Sequence, residues 1–213
     1  MKTIFVLLIV CLSYPVQTTT AFDRRQTNSC DECQLRFKMP DGWVSEAPSS
    51  KMRVAQYRLP KADGDAEDAS LVVYYFGSGQ GGSVEANIDR WISQMEQPRS
   101  GSSKEKAKTE TLTVNGLKVT TVDVAGTYIA EVSPGSATHY NKPSFRLRGA
   151  VVETPKGFYF AKLIGPEKTV GHWEKSFNDY VRSFEIICFG DAQPLGKLKP
   201  PSNDPVWRFY SSC

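Results

Sequence analysis

Histidine is scarce in this chain, with only His139 and His172 among 213 residues. No Gly-x-Ser-x-Gly segment places a serine on a strained turn, so hydrolysis by a serine–histidine pair has no visible machinery. The acidic stretch Asp63-Gly64-Asp65-Ala66-Glu67-Asp68 lacks the glycine and terminal glutamate spacing of a calcium loop, and reads as a solvated turn. A surplus of one charge is missing too: 26 Lys and Arg face 23 Asp and Glu. Lys104, Lys106 and Lys108 alternate with Glu105 and Glu110, whereas a nucleic-acid binder gathers its cations on one face, so no nucleic-acid partner is expected. Gly77, Gly79, Gly81 and Gly82 precede a helix start, but no Gly-Lys-Ser/Thr follows, which leaves a flexible turn rather than a phosphate cradle. The expectation is of no catalytic residue, no metal site and no cofactor.

Long apolar runs are also missing, except at the N-terminus. There Lys2 precedes the apolar stretch 3–12, about 10 residues and too short to span a bilayer. Thr19 and Ala21 supply small residues before a break. The segment 1–21 reads as a cleaved secretory signal, and the mature chain is expected to be secreted or periplasmic, with no membrane span. Cys11 raises lipidation as the alternative, although Val10 stands where a lipidation site wants a small residue.

Export changes how cysteine is read. Cys30, Cys33, Cys188 and Cys213 remain after the signal, an even number in a compartment that permits disulfides, and three pairings are open. Cys213 is expected to join Cys30 or Cys33 and so tie down the tail, with Cys188 as the competing partner. Cys30-Asp31-Glu32-Cys33 also has redox or zinc spacing. However, the two carboxylates between the thiols raise their pKa, and no second Cys-x-x-Cys completes a zinc site.

The organised part of the chain is expected over 35–187, after a polar linker at 22–34 and before a Pro-rich tail at 188–213. Residues 35–39 and 52–60 alternate apolar with polar side chains, as half-buried strands do, and 71–76 is continuously apolar. Ser83 caps a helix whose stripe is Val84, Ile88, Trp91, Ile92 and Met95. Asn115-Gly116 marks a hairpin between 109–114 and 117–124, and a second hairpin joins 145–153 to 158–164. Between the hairpins, 131–144 makes a long excursion of the kind that often carries function. Val170, Trp173, Phe177, Tyr180, Val181 and Phe184 mark a second amphipathic helix. The order predicts an α+β fold, a largely antiparallel sheet of about six or seven strands with two amphipathic helices packed on it. Ile88, Trp91, Trp173 and Phe177 are expected in the core, while Trp43 and the tail residues Trp207, Phe209 and Tyr210 fit no buried periodicity.

This layout resembles the PsbP-like superfamily, and small exported bacterial proteins of that kind read similarly at three places. These are Met52-Arg53-Val54-Ala55-Gln56-Tyr57, Gly81-Gly82-Ser83-Val84-Glu85-Ala86-Asn87-Ile88-Asp89-Arg90-Trp91 and Gly149-Ala150-Val151-Val152-Glu153-Thr154-Pro155. The resemblance covers residues 35–187 and carries no catalytic motif. It implies a PsbP-like sandwich and a binding or assembly role rather than an enzyme. The expected function is a noncatalytic exported domain that binds a protein or cell-envelope component through 131–144 and its neighbours. The alternative is a thiol-active redox protein using Cys30 and Cys33.

Overall fold

The computed structural model describes residues 32–98 and 101–189. The signal at 1–21, Cys11, Cys30, Cys213 and the tail from 190 onward lie outside the described residues. In chain order the elements are β1 (Glu32–Arg36), β2 (Val44–Glu46), β3 (Arg53–Leu59), β4 (Ala69–Tyr75), α1 (Val84–Ser93), β5 (Met95–Glu96), α2 (Ser103–Lys106) and β6 (Lys108–Val114). They continue with β7 (Leu117–Tyr128), β8 (Lys142–Thr154), β9 (Gly157–Pro166), α3 (Glu167–His172), α4 (Glu174–Arg182) and β10 (Glu185–Phe189).

Eight strands form one antiparallel sheet in the order β2-β3-β4-β9-β8-β7-β5, with β6 also on β7, and β1 and β10 form a separate two-stranded ribbon. The α+β class and the antiparallel pairing follow the expectation from the sequence. The count differs because β2 and β5 are three and two residues long, too short to show a period, and because β10 follows the second helix directly. The ribbon begins inside the stretch read as linker and runs past the boundary placed at 188. At Asn115 and Gly116 φ is 48° and 82°, the doubly positive turn that matches the twist of β6 and β7.

Each face of the sheet has its own core. On one, Tyr57 and Leu59 of β3, Leu71 and Val73 of β4, Val152 of β8 and Leu163 of β9 are closed over by Phe177, Tyr180 and Phe184, and by Leu35 and Phe37 from the ribbon end. The rings interlock: Tyr180 lies 5.1 Å from Phe37, 4.9 Å from Phe184 and 5.3 Å from Trp43. Trp43, which no periodicity placed, is thus a core residue at 5% exposure. On the opposite face α1 lies over β7 and β8 with Val84, Ile88, Trp91 and Ile92 against Val122, Val124, Leu147 and Val151. Gly149 makes this possible, since a Cβ there would stand 2.3 Å from the Trp91 ring.

The second predicted helix is two. Trp173 leaves helical geometry between α3 and α4, where its indole N–H donates to Pro60 O at 2.8 Å and its ring covers Gly42. It is half-buried, against the expectation of a core residue, because it spans the rim between α3 and the loops rather than facing the sheet.

Candidate functional site

Beyond β7 the sheet ends on β6, which pairs only with β7 among the described residues. Its side chains Lys108 through Thr111 and Thr113 are exposed, and its outer backbone edge spans seven residues. The opposite edge, β2, offers three. Alternation along β6 sends side chains to two clefts, one on each face of the sheet. On the α4 side, Lys108, Glu110 and Leu112 border a cavity of about 320 Å³. On the α1 side, Thr109 and Thr111 border one of about 460 Å³, with Glu85, Asp89, Lys104 and Lys118 around it.

The floor of the α4-side cleft is an ion-pair network. Arg146 donates from Nε and Nη2 to the two carboxylate oxygens of Asp123 at 2.8 and 2.5 Å, and from Nη1 to Glu174 at 2.9 Å. Asp123 foremost, with Glu174, raises the Arg146 pKa above the ordinary arginine range. Arg148 donates to Glu174 O and Asn178 Oδ1, lies 3.2 Å from Asp123, and sits 5.0 Å over the Phe177 ring. Burial lowers its pKa, and Asp123 and Glu174 oppose that shift. Arg146 and Arg148 both face Asp123 and Glu174, so the cleft floor acts as a strut between β7, β8 and α4.

The residues singled out by sequence are dispersed. Cys33 is bonded to Cys188, which pairs with it across β1 and β10, so Cys33 is not a dithiol partner of Cys30 and the redox reading loses one of its two thiols. The Cys33–Cys188 bond corrects the expectation for Cys213, since it removes both Cys33 and the competing Cys188 as its partners. His139 bridges Glu131 in the loop before β8, and His172 ends α3 edge-on to Trp173. Among the described residues no group of three His, Cys, Asp or Glu is placed to hold a metal. The acidic turn is consumed internally. Asp65 accepts from Thr169 N and Oγ1, Glu67 from Lys142, and Asp68 from Arg58 and Lys61 N. Arg58 first, then the Lys61 amide, lowers the Asp68 pKa. The glycine turn is equally closed: Ser83 Oγ accepts from Ala86 N, and Asn87 Nδ2 donates to Gly81 O and Ser83 O.

The 131–144 excursion is more ordered than a free loop. Val132 N donates to Thr138 O and Tyr140 N to Ala130 O, and Gly135 N donates to Glu131, so it folds as a small hairpin that feeds β8 three residues early. The sequence reading passed over Asp123, Arg146 and Arg148. Their signal was there: charged residues at 146 and 148 between Phe145, Leu147 and Ala150 share one face of a strand covered on both sides.

No family model matches the chain, and no curated protein does. Solved structures similar to it include the following two. A Pseudomonas aeruginosa protein of unknown function aligns at TM-score 0.40 and 12% identity over 66% of this chain and 94% of that one. The cyanobacterial PsbP of Synechocystis sp. PCC 6803 aligns at TM-score 0.43 and 12% identity, over 76% and 96%. At these scores the likeness carries no argument about function, and the fold class rests on the strand order described above.

Proposed function

We propose that the chain is a noncatalytic, exported domain of PsbP-like type that binds a protein by adding an extended segment of the partner to the β6 edge. The observation that supports this reading is the seven-residue edge with a cleft on either side. A strand added there gains main-chain hydrogen bonds, and its alternate side chains enter the two clefts, which is how sheet-edge recognition obtains both affinity and selectivity. The mixed charges bordering β6 suit a polar partner segment. In this reading the 131–144 hairpin is not the contact, a change from the sequence expectation that follows from its self-pairing.

The test is site-specific photo-crosslinking from position 111 in native envelope extract, with the secreted chain as bait. The expected result is a discrete adduct that Thr113→Pro removes, because proline deletes an edge donor and bends the strand. A crosslinker at the exposed Lys175, on α4 and away from the edge, should give none. Equal adducts from positions 111 and 175, or an adduct indifferent to Thr113→Pro, would contradict the edge reading.

A further inference from the structure

The α1 face of the sheet carries a second feature, unrelated to the β6 edge. Helix α1 lies mainly over β7 and β8, and β9 beside them presents Phe160, Lys162 and Ile164 to the same face. Lys162 stands between Val72 and Gly149 in register, a cation in an apolar row. Its Nζ donates to Gln94 Oε1 and sits 5.2 Å over the Tyr128 ring. Burial and the charge of Arg90 pull its pKa from 10.5 down to about 8. Arg90 itself donates to Asn87 Oδ1. On β3, Arg53 donates to Gln56 Oε1 at 2.9 Å and lies 5.8 Å from the Tyr74 ring.

Three cations on this face are therefore each held by a neutral amide, unlike Lys118 and Lys142 there, which pair with Glu153 and Glu67. None of the three takes part in an ion pair among the described residues, whereas Arg146 and Arg148 on the other face are answered by two carboxylates. An amide oxygen satisfies a donor without cancelling its charge. The result is a half-buried ammonium and a neighbouring guanidinium that repel each other, an arrangement that an incoming anion would stabilise. The Tyr128 ring lies under the ammonium and carries a hydroxyl. Tyr128 lies within electrostatic reach of Tyr74 and Tyr140, and burial raises its phenol to about 12, so it remains a neutral donor at physiological pH. Tyr140 stacks on Tyr128 at 5.5 Å and adds an aromatic surface beside them.

We infer that Lys162, Arg90 and the hydroxyl of Tyr128 form a binding site for an oxyanion of the phosphate class, with Arg53 and Tyr74 at its margin. A dianion suits two mutually repelling cations better than a single carboxylate does. The same phosphoryl chemistry could arrive on a small solute or on a lipid headgroup, and the two are separated by experiment.

The secreted chain, disulfide intact, is treated with limiting acetic anhydride, and acetylation of Lys162 and of the exposed Lys104 is followed by peptide mass spectrometry. Inorganic phosphate at about ten times its dissociation constant should slow Lys162 about tenfold and leave Lys104 unchanged. Chloride at matched ionic strength should protect neither. Vesicles of phosphatidic acid in phosphatidylcholine form a second arm. Protection by soluble phosphate assigns a small solute, and protection by these vesicles alone assigns a lipid headgroup; either outcome supports the site. The variant Arg90→Gln, at an exposed helix position, should retain the fold and lose most of the protection. Lack of protection in both arms, equal protection by chloride, or full protection in Arg90→Gln would overturn the inference.

Discussion

On the α4 face of the sheet, Arg146 and Arg148 meet Asp123 and Glu174, and on the α1 face Arg53, Arg90 and Lys162 meet Gln56, Asn87 and Gln94. The first face is also closed by the β1–β10 ribbon, by the Cys33–Cys188 bond and by the rings around Tyr180. The second is covered, among the described residues, by the ten-residue α1 with the short α2 beside it. The α1 face has ion pairs of its own, Lys118 with Glu153 and Lys142 with Glu67, but Arg53, Arg90 and Lys162 have only amides as polar partners among the described residues. The α4-side cleft is floored by charged groups, yet these already serve one another. A recognition site needs unspent charge, and the α1 face has it.

The largest effect should come from the tied-down face. The disulfide closes a loop with a sequence separation of 155, worth about 5 kcal/mol in the chain-entropy model. Cys33→Ser with Cys188→Ser should therefore lower unfolding stability by about 3 to 5 kcal/mol in urea titrations. A loss under about 1 kcal/mol would mean that the ribbon contributes little to closing that face.

Next is Asp123→Ala, which leaves two largely buried guanidinium groups short of their shared carboxylate and should cost about 2 to 3 kcal/mol by the same titration. Substituting Gln56, the amide that holds Arg53, by Ala should cost under about 1 kcal/mol, since no opposite charge is lost there. Equal losses at the two sites would erase the contrast between the faces.

A smaller change, of opposite sign, is expected at Lys162. Its charged form is disfavoured in the folded protein, so Lys162→Met should raise stability at pH 7 by about 2 kcal/mol. The folded pKa is about 8 and the ordinary value 10.5, so in that window the unfolded chain binds more protons than the folded one. Stability of the wild type should accordingly rise with pH across the window. The Lys162→Met variant should lack that rise. The Tyr128 phenol acts the other way, but only as pH climbs past 10 toward about 12. A variant less stable than wild type at pH 7 would show that the ammonium is well accommodated without a ligand.

Much of the fold was legible in the chain. Period-two runs, Asn115-Gly116 and the Ser83 cap place β6 to β9 and α1 because each is a local rule expressed over many residues. Strands of two or three residues leave no period, which is why β2 and β5 were missed. Trp43 was hard to place because its burial depends on Tyr180, far along the chain, and Trp173 was misplaced because a rim contact with Pro60 breaks the helix that its spacing suggests. That Cys33 and Cys188 belong to a disulfide was legible from export and spacing, but pairing is a property of register, and the facing of the two across β1 and β10 decides it. Lys162 shows the same limit for function. A lone lysine between Ala161 and Leu163 is visible in the sequence, but whether a carboxylate or an amide awaits it depends on where Gln94 of the α1–β5 turn comes to rest.

The most direct test of uncompensated charge on the α1 face is the titration of Lys162 by side-chain NMR in phosphate-free buffer. The account predicts an apparent pKa of about 8, rising when inorganic phosphate is added. A value at the ordinary 10.5, unmoved by phosphate, would contradict it.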